Sequence, residues 1–187
     1  MAPPNAPRRR PPLDSRRLEE IAVRYVGRYA TTRAKLRAYL SRKLRECGWN
    51  EAREPDLDGL ANRFCELGYV DDAAYALAKS QALASRGYGK RRLSEKLRVA
   101  GVGEEDSGEA RDHADAHALE AALRFAERRR IGPFAAEPPE DPKQRERAIA
   151  AMVRAGHSFD LARVIARLEP GTPVDMDVLR EQARLDR

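Results

Sequence analysis

The 187-residue sequence has few of the residues that build sheets or disulfide frameworks. Aromatic residues make up only 6% of it, and valine, isoleucine and threonine together number 16, against 31 alanines and 18 leucines. Because strong helix formers outnumber β-branched residues so clearly, the composition predicts an all-helical protein. The two cysteines, Cys47 and Cys65, are too few for a disulfide framework, and we expect both to be reduced.

The sequence also lacks the features of membrane proteins and of common enzyme classes. No run approaches the roughly 20 apolar residues of a membrane span, and no signal peptide is visible, so we expect a soluble, cytoplasmic protein. No Gly-rich phosphate loop follows a strand pattern. His113 and His117 lie four residues apart, a spacing that can hold zinc, but a third ligand is not evident. An ordinary position on a solvated helix face explains the two histidines better than a zinc site does. We expect no catalytic residue, no cofactor and no metal.

What the sequence does contain is an internal helical repeat. LSRKLRECG at residues 40–48 and LSEKLRVAG at residues 93–101 share six of nine residues, and AIAAMVRAG at residues 148–156 is a weaker third copy. Repeating units of about 50 residues are typical of helical arrays. We therefore predict an elongated array of three tandem three-helix repeats.

Domain boundaries follow from this repeat. The Pro- and Arg-rich segment 1–13 is predicted to be a disordered basic tail. The repeats are predicted at residues 14–69, 70–116 and 117–170, followed by a C-terminal extension at 171–187. Residues suited to capping helix starts are Asp14 or Ser15, Thr31 or Thr32, Asp56, Asp71 and Asp72, Asp141, and Ser158.

The net charge of +6 conceals an uneven distribution of charge. Residues 31–48 and 86–101 each carry five more basic than acidic residues, whereas residues 103–115 carry five more acidic than basic ones. Because the basic segments contain equivalent helices of the predicted repeat, they can form one stripe suited to a phosphate backbone or an acidic protein groove. An ordinary solvated helix face is the alternative explanation.

Two motifs resemble those of the RecX family, regulators of the RecA recombinase. ELGYVDDAAYA at residues 66–76 is similar to a family segment built around Leu-Gly and Asp-Asp, and RGYGKRRL at residues 86–93 is similar to a family Arg-Gly-x-Gly segment. Both occur in the family's order. The third unit departs from the family, because His157 follows Gly156 where an aromatic residue is usual.

The resemblance implies a non-catalytic monomer that lodges in the groove of the RecA filament on single-stranded DNA and hinders ATP turnover and strand exchange. The resemblance does not decide whether the protein contacts the DNA directly. Asp71, Asp72, Gly87 and Gly89 are expected to shape the repeat junction and loop. The residues expected to bind the filament are Arg33, Lys35, Arg37, Arg42, Lys43, Arg86, Lys90, Arg91 and Arg92. The alternatives are an independent all-helical DNA-binding protein and a metal hydrolase that uses His113 and His117.

Overall fold

The computed structural model describes residues 11–139 and 141–185, which are helical with short connections. The predicted all-helical class is confirmed. The basic residues Arg8, Arg9 and Arg10 of the predicted tail lie outside the described residues. The α-helices are α1 (Ser15–Val26), α2 (Arg33–Cys47), α3 (Leu57–Glu66), α4 (Asp72–Ala84), α5 (Lys90–Ala100), α6 (Gly108–Ala116), α7 (Ala118–Arg129), α8 (Pro142–Arg154), α9 (Phe159–Arg167) and α10 (Met176–Leu185).

Helix starts lie where capping residues occur in the sequence. The side chains of Asp14, Thr32, Asp56 and Ser158 each accept a hydrogen bond from the backbone N–H three residues later. Asp141 caps α8, with Pro142 at the first helical position. Because such caps satisfy N–H groups that the helix itself leaves unpaired, these boundaries were predictable from local sequence.

The described chain packs as two compact units. The first contains the chain up to Tyr75 together with Ala100–Val102, and the second contains Ala76–Val99 and the chain from Gly103 onward. The division into three tandem repeats stays a prediction. No helix in the described ranges is long and apolar enough to cross a membrane.

The core of the first unit is built by α1, α2 and α3. Leu18, Leu36, Leu40 and Phe64 are almost fully buried within it. Leu13, which the sequence analysis placed in the disordered tail, also belongs to this core and is 4% exposed. Its N–H donates to the carbonyl of Gly48, and its carbonyl accepts from the N–H of Asn50. The tail boundary at residue 13 is therefore wrong, because one apolar residue with two backbone partners is enough to hold the chain there.

The core of the second unit is built by α7, α8, α9 and α10. Leu119, Ala122 and Ala126 of α7 pack with Met152 of α8 and Ile165 of α9. In α10, which lies in the predicted C-terminal extension, Leu179 is only 3% exposed and joins this core. The acidic segment before α7 consists of a single 3₁₀ turn, Glu105–Ser107, followed by α6. A second 3₁₀ turn, Gly132–Phe134, lies between α7 and α8.

Candidate functional site

The basic residues predicted on the N-terminal half of α2 have different surroundings. Arg33 is the first helical residue and is exposed. The Lys35 ammonium donates to the Tyr75 hydroxyl and lies 4.5 Å from the centre of that ring. Arg37 forms an exposed ion pair with Asp58, with 2.6 Å between Nε and Oδ1. Two of these three basic residues, Lys35 and Arg37, therefore already have partners within the first unit.

Further along α2, Arg42 and Lys43 share one acidic partner and one aromatic ring. Their cationic groups lie 3.7 Å and 2.6 Å from carboxylate oxygens of Glu46. They also lie 5.4 Å and 5.7 Å from the centre of the Tyr39 ring. Cation–π contact of this kind orients the charges around the ring without neutralising them.

The predicted basic loop, residues 86–92, comprises the segment before α5 and the first turn of that helix, in the second unit. Arg86 and Arg91 are exposed, and the described structure shows no ion pair for either. Lys90 pairs with Asp115 at 2.5 Å, and Arg92 pairs with Glu95 at 3.1 Å. In the described structure, Lys90 and Arg92 of this loop therefore have acidic partners, whereas Arg86 and Arg91 can pair with a ligand.

The two loop glycines allow the chain to pass against other backbone segments. Gly87 has φ +73°, and a Cβ built on it would lie 2.8 Å from the backbone nitrogen of Phe125. A Cβ on Gly89 would overlap the carbonyl of Gly156, and the Gly89 N–H donates to the carbonyl of Ala155 at 3.0 Å. These contacts hold the loop against α7 and the turn after α8, and so set where Arg86 and the start of α5 lie.

His157 completes the anchoring of this loop, a role the sequence did not indicate. The ring is buried, with Nε2 3.1 Å from the carbonyl of Gly87 and the Phe125 ring at 5.7 Å between centroids. Burial lowers the pKa of His157, while the hydrogen bond to Gly87 opposes that shift. A neutral ring with its proton on Nε2 donates to the carbonyl and avoids a buried charge.

Asp71 and Asp72 have distinct structural roles. Asp71 accepts from the N–H of Ala74 at 2.8 Å and so caps α4. Asp72 is 7% exposed and accepts from the N–H of Arg33 at 2.8 Å, across to the N-terminus of α2. Negative charge is favourable at a helix N-terminus, so Asp72 ties the start of α4 to the start of α2.

His113 and His117 are engaged with each other and with neighbouring groups. Their rings stack at 4.2 Å between centroids, and Nδ1 of His113 lies 3.0 Å from the hydroxyl of Ser80. Burial, and then the neighbouring His117, lowers the pKa of His113. Within the described ranges, no group of three possible metal ligands comes together. No observation favours the hydrolase alternative.

Arginine and tyrosine side chains of the first unit meet in a depression that the sequence did not predict. It has a volume of about 540 Å³ and is lined by Arg24, Tyr25, Arg28, Tyr29, Tyr39 and Arg42. Tyr25 and Tyr29 have the spacing of an apolar helix face. Their spacing of four with an arginine directly before each was the available signal, but only packing places Tyr39 beside them.

A comparable depression lies in the second unit. It has a volume of about 480 Å³, and its lining includes Tyr88, Phe125, Arg128, Arg129 and Arg154. The Arg128 guanidinium lies 5.5 Å from the centre of the Phe125 ring and donates to the carbonyl of Arg86 at 2.6 Å. Of these residues, only Tyr88 lies in a motif that the sequence singles out, RGYGKRRL at residues 86–93.

Comparison with known proteins identifies relatives, although no family model matches the sequence. The chain is 32% identical over 162 residues to the regulatory protein RecX of Myxococcus xanthus, covering 82% of this chain and 86% of that protein. It is 34% identical over 164 residues to regulatory protein RecX of Mycobacterium sp. strain JLS, covering 81% and 82%. For regulatory protein RecX of Thermobifida fusca the identity is 32% over 154 residues, covering 82% and 78%.

Proposed function

The chain belongs to the RecX family of regulatory proteins, and from this premise we propose that it binds the RecA filament on single-stranded DNA and inhibits the recombinase. Binding in the filament groove would hinder ATP turnover and strand exchange during DNA repair, recombination and the SOS response. The protein acts in this proposal as a cytoplasmic monomer without catalytic residues or a cofactor.

The observation that carries the proposal is the pair of arginine-lined depressions, one in each unit. In both, guanidinium groups lie beside aromatic rings, and no carboxylate belongs to the described lining. Guanidinium groups form forked hydrogen bonds to phosphates and carboxylates. Each unit thus offers a surface suited to nucleic-acid phosphates or to acidic protein side chains, the two chemistries that a filament on DNA presents.

Within the proposed interface, ion pairing divides the basic residues into two groups. Arg33, Arg86 and Arg91 are exposed with no acidic partner in the described part of the chain. They can contact the filament without breaking an existing pair. The remaining proposed contacts have a neighbouring acid or tyrosine: Lys35, Arg37, Arg42, Lys43, Lys90 and Arg92. Exposed pairs contribute only about 0 to 1 kcal/mol, so they can exchange partners at small cost.

The direct test is the single-strand-dependent ATPase activity of RecA. Purified protein added at a low molar ratio to a preformed filament is expected to suppress ATP turnover. The proposed binding would also hinder filament growth, so less protein should suffice when it is added before the filament forms. Undiminished ATPase activity together with tight binding to naked DNA would establish the alternative, an independent DNA-binding protein.

The contribution of the loop can be tested by charge reversal on α5. Changing Lys90, Arg91 and Arg92 to glutamate is expected to weaken the suppression of ATPase activity without unfolding the protein, since all three side chains are at least partly exposed. Changing Lys96 and Arg98 to glutamate on the same helix is the matched control, because both are exposed and lie outside the proposed contacts. Unchanged inhibition by the triple variant would remove the first turn of α5 from the interface.

A further inference from the structure

The depression in the first unit combines stacked aromatic rings with a cluster of arginines. We call it the tyrosine pocket, defined by Arg24, Tyr25, Arg28, Tyr29, Tyr39 and Arg42. We propose that the tyrosine pocket binds single-stranded DNA directly, with a nucleobase stacked on Tyr29 and the adjoining phosphates held by Arg24, Arg28 and Arg42. This proposal makes the proposed function more specific. It rests on the proposed function only for the choice of single-stranded DNA as the ligand.

Local structure fixes the positions of the aromatic rings. Tyr25 lies near the end of α1, and its carbonyl accepts hydrogen bonds from the N–H groups of Arg28 and Tyr29 in the following turn. The Tyr25 ring stacks on Tyr39 of α2, with 4.0 Å between centroids and 11° between planes. Tyr29 extends this cluster at 5.5 Å from Tyr25. The rings are therefore held in place before a ligand arrives, which reduces the entropy cost of binding.

Exposure singles out Tyr29 as the stacking residue. Tyr25 and Tyr39 are partly buried and already contact each other face to face. Tyr29 is 54% exposed, so part of its ring is available to a ligand. A nucleobase has a flat face that can stack on the exposed part of this ring at the mouth of the pocket.

The surrounding charges select the ligand. Arg24 and Arg28 are exposed, and Arg42 lies over Tyr39. Three guanidinium groups around an aromatic cluster match a chain that alternates phosphates with bases. Bases of a duplex are stacked on each other and hide their faces, whereas those of a single strand are available to stack on protein rings. The combination therefore favours single-stranded over double-stranded DNA.

The test measures binding to naked single-stranded DNA, without the recombinase. Fluorescence anisotropy is measured with a labelled oligonucleotide of about 12 nucleotides, and with an abasic strand of the same length and backbone. Tyr29→Ala is expected to weaken binding of the normal strand by about 5-fold to 100-fold, and to leave binding of the abasic strand unchanged. Tyr29→Phe, which keeps the ring, should bind the normal strand nearly as well as the unmodified protein.

The arginines are tested by the salt dependence of the same binding reaction. The double variant with Arg24→Gln and Arg28→Gln is expected to bind both strands more weakly. The slope of log affinity against log salt concentration should become shallower by about 1.4, since two phosphate contacts are lost and each contributes about 0.7 on a single strand. Arg53→Gln, an exposed residue of the same unit outside the pocket, should leave the slope unchanged.

Tyr69→Ala is the matched control for Tyr29→Ala, because Tyr69 lies in the same unit, outside the pocket, and is 59% exposed. Equal loss in the two variants, loss of abasic binding with Tyr29→Ala, or no measurable binding by the unmodified protein would each overturn the proposal. So would arginine variants that lose ATPase inhibition but bind naked DNA normally, because the pocket would then contact the recombinase. Unmodified protein that binds the strand as expected without affecting RecA would refute the proposed function and retain the pocket.

Discussion

Replacing Gly87 with alanine tests whether the basic loop depends on close backbone packing. Gly87 and Gly171 belong to the same unit and have φ values of +73° and +75°. Alanine at either position must adopt a left-handed conformation, which costs about 1 to 2 kcal/mol. A Cβ on Gly171 has no atom within 4 Å, whereas one on Gly87 would lie 2.8 Å from the nitrogen of Phe125 and 3.1 Å from the carbonyl oxygen of Ala121. Only Gly87→Ala therefore forces two backbone segments apart.

The expected difference follows from those contacts. Relieving an overpacked contact typically costs about 1 to 3 kcal/mol. Moving the loop also weakens the buried hydrogen bond between His157 and the Gly87 carbonyl, a loss of about 1 kcal/mol. We expect Gly87→Ala to lower the free energy of unfolding by about 3 to 6 kcal/mol, and Gly171→Ala by only about 1 to 2 kcal/mol.

Urea unfolding followed by circular dichroism measures both variants against the unmodified protein. At about 2 to 4 °C per kcal/mol, Gly87→Ala should also lower Tm by about 6 to 24 °C. Equal destabilisation by the two substitutions would refute the argument that close approach to α7, and not the φ angle alone, requires glycine at position 87. Normal inhibition of RecA by a folded Gly87→Ala variant would show that the loop position does not matter for function.

Three further substitutions test other parts of the structure. Asp72→Ala should lower the free energy of unfolding, measured in urea, by about 2 to 3 kcal/mol, because the Asp72 carboxylate no longer accepts from the N–H of Arg33. Asp72→Asn should lower it by less, because the amide oxygen can still accept that hydrogen bond. His157 has a lowered pKa in the folded protein, so its stabilisation is present above the unfolded value of 6.5 and is lost as pH falls through the folded pKa. Stability should therefore fall less between about pH 7.5 and about pH 5.5 in His157→Gln than in the unmodified protein, and identical pH profiles would contradict this. Leu13→Ala should cost about 2 to 4 kcal/mol in urea unfolding if the segment before α1 is part of the core, whereas a disordered residue would show no effect.

The local features of the helices were predictable because their causes lie within a few residues. Asp14, Thr32 and Ser158 can each cap the helix that follows, so the starts of these three helices could be read from composition and spacing. Leu13 was missed for the opposite reason. It is held by backbone bonds to Gly48 and Asn50, more than 30 residues away, and nothing adjacent to it indicates those partners.

The candidate site was only partly predictable. Basic residues of α2 and of the loop before α5 could be identified from charge, but not their acidic partners: Asp58 for Arg37 and Asp115 for Lys90. The tyrosine pocket was missed because Tyr25 and Tyr29 have the spacing of an ordinary apolar helix face. It becomes a pocket only when α2 brings Tyr39 within stacking distance of Tyr25.

By itself, the sequence determined the all-helical class, the helix starts that have a capping side chain and the family motifs, since each of these depends on residues that are neighbours along the chain. Tertiary structure decided which cations remain available and which of two glycines with nearly the same φ is irreplaceable. It also decided whether a tyrosine is buried or exposed at a binding surface. These outcomes depend on distances between residues far apart in the chain, and packing sets those distances.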